Sequence, residues 1–280
     1  MLDHGYQTSQ KNVKGTKINF VKTGQGPGLI LIHGLRNNWY GWGRLIPCLE
    51  KEFTLYIVDL PGFGCSGRLD NYSIKIEADY VTAFVKTLKP HPTGIIGLSM
   101  GSSITAEVAK SIGNSLKGIV LTGPVLREGN TVPLLRSLKY LMKTMGSNRI
   151  TTYLMKKIMD YRVSSYTIGK YLSMHKFNKE LIDEYGLEGS KQMHAKAYVQ
   201  LGVSVSEYKL LETVTDYKNP ILLIYGKSDR ASKPKIAQEK VVPVNSNVSC
   251  VVIEKAGHWV PVEQPEQTAQ TIINFFHSLI

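Results

Sequence analysis

Short, wholly apolar runs that end in glycine-bearing turns recur along the chain and alternate with segments of helical period. Leu29-Ile30-Leu31-Ile32 is apolar at every position, as a parallel strand covered on both faces must be. Lys17 to Thr23 instead alternates polar and apolar residues, the mark of a half-buried strand. Phe53 to Val58, the run leading into Leu98, Lys117 to Thr122, Pro220 to Tyr225 and Val248 to Ile253 read as further strands. Between them, a short helix runs to about Glu50, and Ile74 to Leu88 places Ala78, Val81, Val85 and Leu88 at helical spacing. Ser102 to Ile112 is compatible with a helix, and Pro265 opens a closing amphipathic helix carrying Thr268, Ile272, Phe275 and Phe276. Strands alternating with helices specify the α/β class, with a mainly parallel sheet covered on both sides.

From Pro124 to Lys218 that rhythm breaks, and no convincing buried strand occurs. Helices are expected instead at Leu134 to Met145, Ile150 to Met159, Lys179 to Tyr185, Lys191 to Val203 and Glu207 to Val214. The economical division is a core domain of residues 1–123 and 219–280 with an all-helical cap, 124–218, inserted between two of its strands. Such an insertion would stand at the carboxyl ends of the strands, where ligands bind in open α/β sheets.

Composition narrows this further. At 280 residues, 42% hydrophobic and 20% charged, the chain can bury a full core. No apolar run reaches the ~18 residues that a membrane helix needs, and Met1 to Thr16 is polar with no signal-peptide core. Cys48, Cys65 and Cys250 are odd in number and widely spaced, so a disulfide framework is not expected and a reducing, cytoplasmic setting is.

The candidate chemistry begins at Gly97-Leu98-Ser99-Met100-Gly101, where an apolar run passes at once into a helical segment. A strand, a tight turn and a helix in this order hold the central residue in a strained conformation and lift its side chain clear of the sheet. Gly97 and Gly101 let strand and helix approach around Ser99. By itself the motif is equally well a glycine-rich structural turn, because a serine needs a base beside it to act as a nucleophile.

Four signatures in order decide between these. They are His33-Gly34 after an early strand, Asp59-x-Pro61-Gly62-x-Gly64-x-Ser66 after the next, the Gly97–Gly101 turn, and Gly257-His258 near the end. From about Lys17 onward the chain resembles the α/β-hydrolase superfamily, in particular its serine-nucleophile, cap-bearing, esterase- and lipase-like members. That resemblance implies an α/β-hydrolase fold, a twisted sheet with helices on both faces and an inserted helical cap. It implies Ser99 as nucleophile, His258 as base and Asp229, in Gly226-Lys227-Ser228-Asp229, as the acid that fixes the imidazole tautomer. The order Ser, Asp, His is the one this fold uses. It also assigns an oxyanion hole to the backbone N–H groups of Leu35 and Met100. The flanking positions His33, Gly34, Trp39, Leu98, Trp259 and Val260, with Met142 and Met145 of the cap, are the candidate pocket wall.

Rivals exist for each role. His33 could act as base, but it sits where the family has a loop-shaping histidine. Asp59 could act as the acid, or cap the turn before Pro61; Glu128 is a weaker rival. Gly62-Phe63-Gly64-Cys65-Ser66-Gly67 matches a dinucleotide-binding pattern formally, yet loop residues Arg68, Leu69, Asp70 and Asn71 follow where a helix must begin. No His-Glu-x-x-His motif or paired His/Cys spacing suggests a metal. A cofactor-free enzyme is expected.

The formal net charge is +12. Leu134 to Lys176 holds nine basic residues against the single acid Asp160, together with five of the eight methionines. One account is an apolar stripe packed on the core beneath a solvated basic face. The other is a mobile lid whose Met-rich underside lines an acyl pocket and whose basic face rests on anionic lipid or steers anionic substrates. No nucleic-acid reading motif is present. The expected activity is hydrolysis of carboxylic esters of small or medium apolar acids through an acyl-enzyme. The same triad could instead cleave a carbon–carbon bond beside a ketone, or serve a slow-turnover ligand sensor. Dehalogenase and epoxide hydrolase members of the family have an aspartate nucleophile, so Ser99 argues against both.

Overall fold

The computed structural model describes residues 5–127, 153, 157, 162–170 and 174–280. Its frame is one eight-stranded sheet in the order β1-β2-β4-β3-β5-β6-β7-β8. The strands are β1 (Thr8–Val13), β2 (Thr16–Thr23), β3 (Gly28–Ile32), β4 (Thr54–Val58), β5 (Gly94–Leu98), β6 (Gly118–Thr122), β7 (Ile221–Gly226) and β8 (Val248–Ile253). β2 pairs antiparallel with β1 and β4, and every other pairing is parallel.

Strands β3, β5 and β6 are buried at every residue, which is why they are apolar but for Thr122, whose hydroxyl donates to the Gly97 carbonyl at 3.0 Å. Successive side chains point to opposite faces: Ile30 and Ile32 enter one core and Leu29 and Leu31 the other. The first core lies under α2 (Ile74–Lys86) and α3 (Met100–Ile112), through Val81, Phe84, Val85, Ile104 and Val108. The second lies under α1 (Ile46–Leu49) and the last helix, through Ile46, Leu49, Ile272 and Phe276. Helix α2 begins where Ser73 accepts a hydrogen bond from the Ile76 N–H, 3.1 Å away, an N-cap that satisfies one orphan donor of the first turn.

Between β6 and β7 the described residues form helices α4 (Arg162–Ile168), α5 (Lys179–Tyr185), α6 (Leu187–Lys191), α7 (Ala195–Glu207) and α8 (Leu210–Asp216). Helix α5 has the expected bounds. The helix expected over Lys191 to Val203 lies four residues later at both ends, as α7, because α6 occupies Lys191 and the His194 N–H bonds back to the Gly62 carbonyl at 2.7 Å. The helices expected at Leu134 to Met145 and Ile150 to Met159 lie outside the described residues but for Tyr153 and Lys157. After β8 come α9 (Val260–Glu263) and α10 (Pro265–His277).

Strand β1 has no counterpart among the strands that periodicity marks. Its sequence, Thr-Ser-Gln-Lys-Asn-Val, is exposed for most of its length, so it has no apolar face to betray it. It pairs with β2 through the two-residue turn Lys14-Gly15, both residues at positive φ (50° and 81°), the geometry a tight hairpin requires.

Candidate active site

The site is assembled from the carboxyl ends of β3, β5, β7 and β8. Ser99 follows β5 directly at φ 54° and ψ −112°, a region that costs a non-glycine residue about 1–3 kcal/mol. What imposes it is the packing around the turn. The Ser99 N–H bonds to the Thr122 carbonyl at 2.9 Å, and the Ser102 N–H returns to the Ser99 carbonyl at 2.9 Å. A Cβ at Gly101 would lie 2.7 Å from the His33 carbonyl oxygen and closer still to that of Ile32, so only glycine lets α3 sit this near β3. Helix α3 therefore starts at Met100, two residues earlier than its apolar pattern suggests.

Three side chains meet in a line. The His258 ring places Nε2 2.8 Å from Ser99 Oγ and Nδ1 2.8 Å from Asp229 Oδ2. A carboxylate only accepts, so Nδ1 donates to Asp229 and the Nε2 lone pair is left to accept from the serine hydroxyl. Asp229 is 5% exposed and is held from every side. Oδ1 accepts from the N–H groups of Ala231 (2.7 Å) and Ser232 (2.8 Å), and Oδ2 accepts from the Ser232 hydroxyl. Burial raises its pKa, but the bonds from His258 and Ser232 outweigh that and keep the carboxyl below its ordinary value. It is ionised where the imidazole needs a partner. Ser232 escapes motif reading; its signal is an aspartate followed three residues on by serine, the spacing of a local side-chain turn.

The rival groups are engaged elsewhere. His33 is fully buried, receives the Leu60 N–H on Nε2 (3.1 Å) and donates from Nδ1 to the Gly34 carbonyl (2.8 Å). Burial pushes its pKa down to about 4 despite the bond to Gly34. The unfolded chain takes up this proton near pH 6.5 and the folded one only near 4. Stability is therefore full above pH 6.5 and falls as the pH drops toward 4, by up to about 3 kcal/mol. Urea titrations at pH 7 and pH 4.5 should show a smaller acid loss for His33→Gln than for the parent protein. Asp59, also fully buried, is raised to about 6 by that burial against bonds from Cys65, Trp39 and Asn19. Those bonds, from the Cys65 and Trp39 N–H groups and Asn19 Nδ2, tie the loop after β4 to the helical turn at Trp39 and to strand β2 at 2.8–3.0 Å. Glu128 lies outside the described residues.

A cleft of about 680 Å³, its open mouth included, lies over Ser99. The core lines it with Gly34, Leu35, Arg36, Leu98, His258 and Trp259, and the inserted segment with Ser165, Ile168, Ile182, Gly186 and Ser190. Gly34 packs directly on Ser99: a Cβ there would lie 3.3 Å from Ser99 Cβ. Leu35 thus sits beside the serine, and Met100 is the first residue of α3, where a helix leaves its N–H without an intrahelical acceptor.

Of the pocket residues expected from the sequence, Gly34, Leu98 and Trp259 line the cleft. Three do not. His33 is closed off by its two bonds, Trp39 stacks on Tyr40 with ring centroids 4.2 Å apart, and Val260 is fully buried in the second core. Met142 and Met145 lie outside the described residues.

The inserted segment also reaches the loops that carry Asp229 and His258. The His175 N–H donates to Glu263 Oε2 (2.6 Å), whose Oε1 accepts from the Gly257 N–H (2.9 Å). The His175 ring meets Ser228 Oγ at 2.6 Å, one residue before Asp229. Among the described residues no group of three His, Cys, Asp or Glu side chains could hold a metal ion, and no helix is long and apolar enough to cross a membrane.

A family model described as "alpha/beta hydrolase fold" matches residues 27–265. The chain belongs to the alpha/beta hydrolase fold family. Monoacylglycerol lipase ABHD6 of Mus musculus is 26% identical over 92% of this chain and 78% of its own. Soluble epoxide hydrolase of Corynebacterium sp. (strain C12) is 24% identical over 96% of this chain and 97% of its own. Among solved structures, an esterase from Thermogutta terrifontis superposes with a TM-score of 0.77 at 21% identity, covering 98% of this chain and 99% of that one. The relatives named here are all hydrolases, and they divide between ester and epoxide chemistry.

Proposed function

We propose that this alpha/beta hydrolase cleaves carboxylic esters of small to medium apolar acyl groups through an acyl-enzyme formed on Ser99. The observation that carries the proposal is the continuous hydrogen-bonded line Ser99–His258–Asp229 at the floor of a largely apolar cleft. In the first half-reaction the Ser99 hydroxyl gives its proton to His258 Nε2 as its oxygen bonds to the ester carbonyl carbon. Asp229 steadies the imidazolium that results. The carbonyl oxygen, now negative, turns toward the N–H groups of Leu35 and Met100, where the first turn of α3 adds its positive end. Collapse of the tetrahedral species breaks the bond to the alcohol, which leaves with the proton from His258. Water then repeats the sequence on the acyl-enzyme and releases the acid.

The segment between β6 and β7 acts as the cap over this cleft, and its helices α4, α5 and α6 supply part of the wall. Ser99 also separates this chain from its epoxide-opening relatives if, as the family resemblance implies, those attack with an aspartate. The names of the lipase and esterase relatives point the same way.

The test is a panel of chromogenic esters of graded acyl length. The expected result is turnover with an optimum at short to medium chains, together with covalent labelling by a fluorophosphonate probe. A flat response to every ester, with labelling intact, would favour carbon–carbon bond cleavage or ligand sensing on the same triad.

A further inference from the structure

Arg36 has no part in the chemistry just described, yet it faces the cleft. It follows the Gly34-Leu35 turn with φ 66°, in the left-handed region that glycine enters freely and other residues rarely do. A long cationic side chain stands there all the same. Its Nη2 reaches Ser164 Oγ (3.1 Å), Ser165 Oγ (3.2 Å) and Ser190 Oγ (2.9 Å), all on the inserted helices. A guanidinium only donates, so toward it these hydroxyls are acceptors. Arg36, Ser165 and Ser190 line the same cleft as Ser99. Among the described residues no carboxylate lines it, and Arg36 is the one permanently charged side chain that does.

We propose that Arg36, with the Ser165 and Ser190 hydroxyls, forms a subsite for an oxyanion on the ester substrate, a carboxylate or a phosphate. A guanidinium fork suits either group, and the net charge of +12 draws anions toward the molecule. The proposal rests on the ester-hydrolase function above and names the class of ester. A carboxylate would come from the far end of an otherwise apolar acyl limb, as in a half-ester of a dicarboxylic acid, and would amend the wholly apolar acyl group of that function. A phosphate would come from the alcohol limb, as in an acylglycerol phosphate.

Two matched substrate pairs test this. One is the monomethyl ester of a five-carbon dicarboxylic acid against methyl pentanoate; the other is an acylglycerol 3-phosphate against the acylglycerol with the same chain. The charged member of at least one pair should have the higher kcat/KM, and which pair does so identifies the limb. Arg36→Gln should reduce the charged-to-neutral ratio about ten- to hundredfold, mainly through KM, and Arg36→Lys should restore part of it. Two results would overturn the proposal: no preference for the charged member in either pair, or an equal loss on both members in Arg36→Gln. The second would mark Arg36 as a tie between core and insertion only. A binding arm keeps the two proposals apart. Calorimetric titration of Ser99→Ala with the half-ester and the acylglycerol phosphate should show saturable binding to at least one, lost on adding Arg36→Gln. Such binding without turnover of any ester by the parent protein would sink the hydrolase and leave the subsite standing; no binding would sink the subsite.

Discussion

Ser99→Gly is expected to abolish turnover and to make the protein more stable. Loss of the nucleophile in a serine hydrolase lowers kcat by about 10⁴- to 10⁶-fold, and glycine has no hydroxyl to replace it. The folded chain, however, no longer holds a side chain at φ 54°. Relief of that strain is worth about 1–3 kcal/mol, against which glycine's extra freedom in the unfolded chain costs about 0.5–1 kcal/mol. The net gain should be about 1 kcal/mol. Ser99→Ala is the necessary companion: it removes the same hydroxyl but keeps a Cβ in the strained conformation, so it should be inactive without the gain. Urea unfolding of the three proteins checks this. A Ser99→Gly variant that unfolds before Ser99→Ala would mean that the turn holds no strain to release.

Asp229→Asn should cost nearly as much activity, about 10⁴-fold in kcat, by changing one proton's address. In the parent protein Oδ1 accepts two backbone N–H groups, from Ala231 and Ser232. An asparagine satisfies those donors only by placing its own oxygen there. Its NH2 group must then face His258 Nδ1, which becomes an acceptor. The ring proton moves to Nε2, and the atom 2.8 Å from Ser99 Oγ can no longer take the serine proton. Folding should be little disturbed, so circular dichroism and melting temperature should stay near the parent values while ester turnover collapses. Unchanged turnover would show that Asp229 neither orients nor charges the imidazole.

How much of this is legible in the sequence depends on what each residue has to satisfy. Strands β3, β5 and β6 can be read because both their faces are buried and nearly every position is apolar. Strand β1 cannot, since exposed edge residues are free to be polar and only the Lys14-Gly15 turn marks it. The positions of Ser99, Asp229 and His258 stand out because tight turns after strands leave glycine-rich marks. Ser232 and Arg36 leave none: one acts through a hydroxyl at local spacing, the other through serines more than 120 positions away. Of the described helices between β6 and β7, α5, α7 and α8 are visible as helices and α4 and α6 are not; α7 and α8 drift at their ends, because contacts such as the His194 N–H on the Gly62 carbonyl set where α7 begins. Local period carries no trace of such a bond.

The His175 contacts bear on how this chain could be re-engineered. Exchanging the inserted segment wholesale would remove His175, whose backbone N–H holds Glu263 and whose ring meets Ser228. It would unstitch the seam beside both the acid and the base. Grafts intended to retune selectivity should therefore splice inside that seam and carry His175 with the host.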